Sequence, residues 1–318
     1  VFLLMAVVIS LVDIRLIYKY SYLLFVLSLL LLISVEVIGV LGKGATRWIR
    51  VYGFSIQSSE LVKLTIILSL AKFYHDVKFE NTKKIAYLFF PFLILFIPFV
   101  FVVIQPDLGT SLSILILGVF ILFVAGIRLW KFILGFIISV VSIPFLLQSI
   151  KPYQRDRIFS FLNPESDPLG QGYQLTQSKI ALGSGGATGK GFLEGTQSYL
   201  DYLPEKQTDF IFTLIGEEFG FLGTTFIIFL FILLIAVCYF ISIKCFHIFG
   251  RILALGVASN IFIYVFMNIA MVSGLMPVVC IPLPLISYGG SVMLSIMISM
   301  GLVLNVELNY NLKKLNNA

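Results

Sequence analysis

Charge is scarce in this chain. Asp, Glu, Lys and Arg make up only 12% of its 318 residues, against 59% hydrophobic residues and a mean hydropathy of +1.04. That leaves too little polar surface to cover a water-facing globule of this size, so a soluble domain is excluded. Cysteine is scarce as well. Cys238, Cys245 and Cys280 stand apart, with no CxxC and no His beside them at ligand spacing, which excludes a disulfide framework and a zinc site. Strictly alternating segments are missing too, which argues against an outer-membrane barrel. What abounds is continuous apolar sequence at bilayer length, the mark of an all-α polytopic membrane protein.

Apolar helices are expected near 1–13, 20–41, 60–76, 85–105, 109–126, 129–149, 211–243, 251–274 and 285–307, about nine spans in a single membrane domain covering 1–318. The first is too short to cross ~30 Å of hydrocarbon. Because the chain opens on Val1 rather than Met, the expectation is a helix cut near its start, with another before it. Arg15 and Lys19, then Lys72, Lys78, Lys83 and Lys84, then Arg128 and Lys131, then Lys244 and Arg251, then Lys313 and Lys314 fall at alternate helix ends, which are therefore expected to be cytoplasmic. The net charge of +6 is thus positive-inside bias, and no nucleic-acid partner is implied. The opposite face receives 42–59, the turn at 105–109, a large extracytoplasmic loop at 150–210 and the Pro-rich segment 275–284. A polar loop of that length in so apolar a chain points to function.

The large loop contains GSGGATGKG from Gly183 to Gly191. A phosphate-binding P-loop would need Gly where Ser184 stands and Ser or Thr where Gly191 stands, so it fails as a nucleotide site. Two readings remain: a turn between short amphipathic helices, or backbone amides and Lys190 meeting a diphosphate. Arg155 and Arg157 bracket Asp156, as an ion pair or as a phosphate or partner contact. Asp209 stands where the loop returns to apolar helix, followed at once by Phe210, Ile211 and Phe212. It reads either as an N-cap or as a desolvated carboxylate able to act as a base. Glu217 and Glu218 lie two turns further on, at a depth that implies a wet cavity. Glu60 and Lys63 share a helical face at the start of a span, as a packing clamp or a functional pair. Asp107 follows Pro106 at a helix start, where a cap is the plain reading.

Taken together, several stretches resemble the SEDS family of membrane glycosyltransferases, and its RodA-type branch more than the FtsW type. These are GKGATRWI from Gly42, QSSELVK from Gln57, QPDLGT from Gln105, Tyr153 to Arg157, the dense run from Asn163 to Gly220, and MPVVCIPLPLISYGG from Met276. The wording GTQSYLDYLPE within the dense run favours the RodA type. Two departures are visible: Gln207 stands where His is often found, and Ser58 where Pro is usual. The first makes no provision for a neighbouring imidazole.

The resemblance implies ten transmembrane helices with the first lying before this chain's start. It also implies polymerisation of lipid II into glycan strands on the outer face of the bacterial cytoplasmic membrane, in support of rod shape. The family's essential loop aspartate falls on Asp209, expected to act as general base. Lys190, Arg155 and Arg47 are the candidates to meet diphosphate charge, or a divalent cation would do so. Glu60, Lys63, Asp107 and Glu217 are expected along the substrate path. The expected partners are a class B penicillin-binding protein, the elongation machinery and membrane lipid. A lipid II flippase is the alternative, since intramembrane charge suits a headgroup path. A scaffold for the penicillin-binding partner is a third reading.

Overall fold

Asp13 begins the first long helix. In the computed structural model, which describes residues 2–42, 45–51, 54–77, 84–135, 137, 171–199, 205 and 207–311, its carboxylate accepts from the Arg15 amide at 2.8 Å. An Asp there satisfies one of the amides that a first helical turn leaves free. Helix α1 (Phe2–Ser10) is therefore followed closely by α2 (Ile14–Ile38). Arg15 and Lys19 lie inside α2 rather than in a loop before a span starting at 20, because the cap extends the helix past its apolar stretch.

A short sheet interrupts the helices, which apolar run length does not announce. Strands β1 (Val40–Gly42), β2 (Ala45–Val51) and β3 (Phe54–Gln57) form an antiparallel meander with Val40 opposite Trp48 and Trp48 opposite Gln57. It hands the chain directly to α3 (Ser58–Asp76). A 3-10 turn at Ile85–Leu88 leads into α4 (Phe89–Ile104), and Asp107 then caps α5 (Leu108–Val124). Helix resumes at 129–135, and the rest of the span expected to 149 lies almost wholly outside the described residues. The large loop carries α6 (Gln171–Ser184) and α7 (Thr196–Tyr199). Three long helices follow: α8 (Ile211–Lys244), α9 (Ile248–Val272) and α10 (Gly290–Leu308).

Among the described residues, five helices are long and apolar enough to cross a membrane, where about nine were expected. Of the other expected spans, α1 has 9 residues and α5 has 17, α3, with 19, carries Glu60, Lys63 and Lys72, and most of 129–149 lies outside the described residues.

The chain divides into two compact units, one of Val1–Arg128, Leu234–Ile263 and Gly289–Ala318, the other of Leu129–Leu233 and Tyr264–Tyr288. In the first unit α2 packs on α3, and Ser28 and Thr65 share a buried hydrogen bond of 2.6 Å between them. Tyr18 meets His75 and Phe249 edge-on with ring centroids 5.3 and 5.4 Å apart, and Lys72 donates to the Lys19 carbonyl at 2.8 Å. The Phe246 amide donates to Tyr310 at 3.2 Å. The basic ends of α2, α3, α8 and α9 thus gather on one side of this unit, as positive-inside bias requires. An apolar cleft of ≈ 360 Å³ in the same unit is lined by Leu24, Leu27, Leu61, Leu64, Leu68 and Ile298 among others.

Candidate active site

In the second unit, Asp209 stands at the entry to α8. The amides of Thr213 and Leu214 donate to the Phe210 carbonyl at 3.0 and 3.2 Å, so Phe210 occupies the cap position and Asp209 precedes it by one. Asp209 is only 6% exposed. Its turn is tied from several directions. Tyr288 N donates to the Gln207 carbonyl at 2.9 Å, Ser287 Oγ to the Thr208 carbonyl at 2.6 Å, and Asn268 Nδ2 to the Asp209 carbonyl at 2.8 Å. Within the turn, Phe210 N donates to the Glu205 carbonyl and Thr208 Oγ1 to Glu205 Oε2.

Residues 273–289 form no helix because Pro277, Pro282 and Pro284 cannot donate to a helical ladder, so their backbone is free to reach this turn. Asn268 and Ser287 escaped the sequence reading. Asn268 had a visible signal, a carboxamide inside the apolar run of α9. Ser287 had none, since its partner lies 79 residues away in sequence.

Glu217 is fully buried in the same unit and is met by protein donors. Its Oε1 accepts from Lys190 Nζ at 2.8 Å, Gln197 N at 3.0 Å and Thr196 Oγ1 at 3.2 Å. Three donors thus converge on one carboxylate oxygen. The glycine-rich run turns out to be a backbone contact. Lys190 N and Gly191 N donate to the carbonyls of Glu217 and Glu218 at 3.0 and 3.1 Å, while Phe221 N and Leu222 N donate back to Gly186 and Ala187 at 2.9 and 3.1 Å. The exchange requires α8 to break at Gly220, whose φ of 65° is a left-handed conformation. It also requires Gly189, where a Cβ would stand 2.1 Å from the Glu218 carbonyl oxygen. Two amides considered for a diphosphate are therefore already engaged.

In the first unit, Lys63 Nζ meets Glu60 Oε1 at 2.9 Å with both side chains buried, and the Glu60 carbonyl accepts from Ser295 of α10 at 3.2 Å. Asp107 is the cap expected of it: Oδ1 accepts from Thr110 N at 3.2 Å and Oδ2 from Thr110 Oγ1 at 2.9 Å. Gln57 Nε2 adds a bond to the same carboxylate at 3.3 Å. Since Gln57 immediately precedes α3, Asp107 and the Glu60–Lys63 pair lie near one end of that helix. Arg47 lies in β2, and Arg155 lies outside the described residues. Among the described residues no three His, Cys, Asp or Glu side chains are grouped to hold a metal ion.

A profile of the cell cycle protein family FTSW_RODA_SPOVE matches residues 1–312. The chain is 42% identical over 287 residues to the peptidoglycan glycosyltransferase MrdB of Escherichia coli strain K12, which covers 89% of this chain and 76% of MrdB. It is 41% identical over 280 residues to the stage V sporulation protein E of Bacillus subtilis strain 168, covering 88% and 76%. A solved structure described as the coordination of polymerization and crosslinking by a peptidoglycan synthase complex matches with a TM-score of 0.85 at 29% identity, over 98% of this chain and 87% of that one. The rod shape determining protein RodA of Thermus thermophilus matches with a TM-score of 0.71 at 26% identity, over 98% and 85%.

Proposed function

The chain belongs to the FtsW, RodA and SpoVE family of cell cycle proteins, and on that premise we infer that it is a peptidoglycan glycosyltransferase, polymerising lipid II into glycan strands during cell elongation. It is a multi-pass membrane protein. We place it in the bacterial cytoplasmic membrane, with its active face outward.

The observation that carries the mechanism is the buried carboxylate of Asp209, held at the start of α8 by a turn tied to two distant segments. A base must be aimed before it can act. Asp209 takes the proton from the acceptor sugar 4-hydroxyl as that oxygen forms its bond to the anomeric carbon of the donor. The bond from that carbon to the diphosphate breaks, and polyprenyl diphosphate departs with the electron pair. A second carboxylate acting as acid, as glycosidases need, is dispensable because diphosphate leaves readily without protonation.

Developing charge on the diphosphate calls for cations. Lys190 is already neutralised by Glu217, which leaves the larger share to Arg47 and Arg155. The partner is a penicillin-binding protein of class B that cross-links the new strand, and the wider partners are the elongation machinery. A flippase would need polar groups free to receive a headgroup. Glu60 is instead bound to Lys63, and Glu217 to Lys190, which favours polymerisation.

The test is strand formation from purified lipid II by the protein co-purified with a transpeptidase-dead class B partner. Wild type is expected to make long strands and Asp209→Ala none, although folded and partner-bound. Lipid II translocation with no strands from wild type would replace the polymerase with a flippase; undiminished strand synthesis by Asp209→Ala would remove Asp209 from the chemistry.

A further inference from the structure

Three consecutive carbonyls, those of Gln207, Thr208 and Asp209, each accept from a donor contributed by residues 268–288. These bonds are gathered onto the residue read above as the base.

Asn268 is the least expected member. It is wholly buried in α9, where a carboxamide costs free energy unless all its polar atoms are bonded. Its nitrogen uses both hydrogens, one on the Asp209 carbonyl and one on that of Ile281, each at 2.8 Å. Its oxygen Oδ1 is buried without a partner. Its two donors join the turn before α8 to the segment after α9. The bond to Ile281 fastens the Pro-rich segment, and that segment in turn presents Ser287. Ser287 Oγ accepts from Leu283 N at 2.8 Å and donates to the Thr208 carbonyl at 2.6 Å. Asn268 and Ser287 thus hold neighbouring carbonyls and are linked through 281–287.

We propose that Asn268 and Ser287 are positioning residues for glycosyl transfer, fixing the backbone on which the Asp209 carboxylate is carried. The inference rests on the reading of Asp209 as the base. Neither side chain needs to touch substrate. Their effect falls on the chemical step, since misplacing a catalytic group by about 1 Å costs on the order of 100-fold in rate.

The experiment uses the complex with its class B partner and measures strand synthesis against lipid II concentration and pH. Asn268→Leu keeps the volume and removes the donors. It is expected to lower kcat by about 10- to 100-fold while KM for lipid II stays within about twofold, and to displace the acid limb of the pH profile. Ser287→Ala is expected to act in the same direction and Ser287→Thr, which keeps the hydroxyl, to restore most of the rate. Melting temperature and partner co-purification report folding, and the two Ser287 variants decide the matter if Asn268→Leu fails to fold. Wild-type kcat in Asn268→Leu, or equal rates in Ser287→Ala and Ser287→Thr, would overturn the positioning role. Asp209→Asn runs in parallel: if it is active, the base assignment itself has failed; if it is dead while the other variants match wild type, only the positioning inference has failed.

Discussion

At the scale of single residues, the buried Glu60–Lys63 pair is informative because each charge has a named partner. With Glu60 and Lys63 both buried and 2.9 Å apart, removing one takes from the other its buried ion-pair partner. Lys63→Met is therefore expected to cost about 3–5 kcal/mol of stability, and Glu60→Gln combined with Lys63→Met to recover most of it. Thermal melts of the three proteins in detergent check this. His247 offers a pH test outside the spans. Its Nδ1 accepts from the Gly250 amide at 2.9 Å, capping α9, and it is 2% exposed. Burial first, and then the neighbouring His75, hold its pKa down to about 4 from an ordinary 6.5. Below 6.5 the unfolded chain takes up a proton that the folded one refuses, so the stabilisation is complete above that pH. It falls by up to about 1.4 kcal/mol per unit as pH drops towards 4. In His247→Asn, which keeps a capping acceptor without a titrating ring, the slope of melting temperature over that window is expected to flatten.

At the scale of elements, the glycine-rich run and the break in α8 at Gly220 form one backbone device. Gly189 and Gly220 both have positive φ, and a Cβ at Gly220 would stand 2.3 Å from the Gly189 amide nitrogen. Gly220→Ala combines strain of about 1–3 kcal/mol with a collision that opens the exchange of hydrogen bonds. The expected result is faster proteolysis between 184 and 196 with loss of strand synthesis, whereas Gly183→Ala, which meets open space, should change neither. The sequence left open whether this run is a turn or meets an anion, because composition records permissive backbone without saying what approaches it. The short sheet at 40–57 and the early start of α2 were missed for related reasons. Apolar run length reports burial in lipid and is silent about a cap or a meander outside it.

At the scale of the whole molecule, sidedness is the property most open to test. In a protein whose Cys238, Cys245 and Cys280 are replaced by Ser, Phe192→Cys and Phe246→Cys place thiols at positions 69% and 64% exposed. A membrane-impermeant maleimide is expected to label the first on intact cells and the second only after permeabilisation; the reverse pattern would invert the orientation read from Lys and Arg. The membrane class, the helical fold and the capping role of Asp107 were legible in the sequence. Each depends on composition or on chemistry between near neighbours, which chain order preserves. Asp209 was legible as a boundary residue, although its family resemblance and not its spacing raised it above a cap. What only the tertiary structure decided is which polar groups meet. Glu217 takes Lys190 from 27 residues away, Asp209 is held by Asn268 from 59, and Thr208 by Ser287 from 79. A hydrogen bond is set by distance and angle in space, and over such separations the chain's order specifies neither.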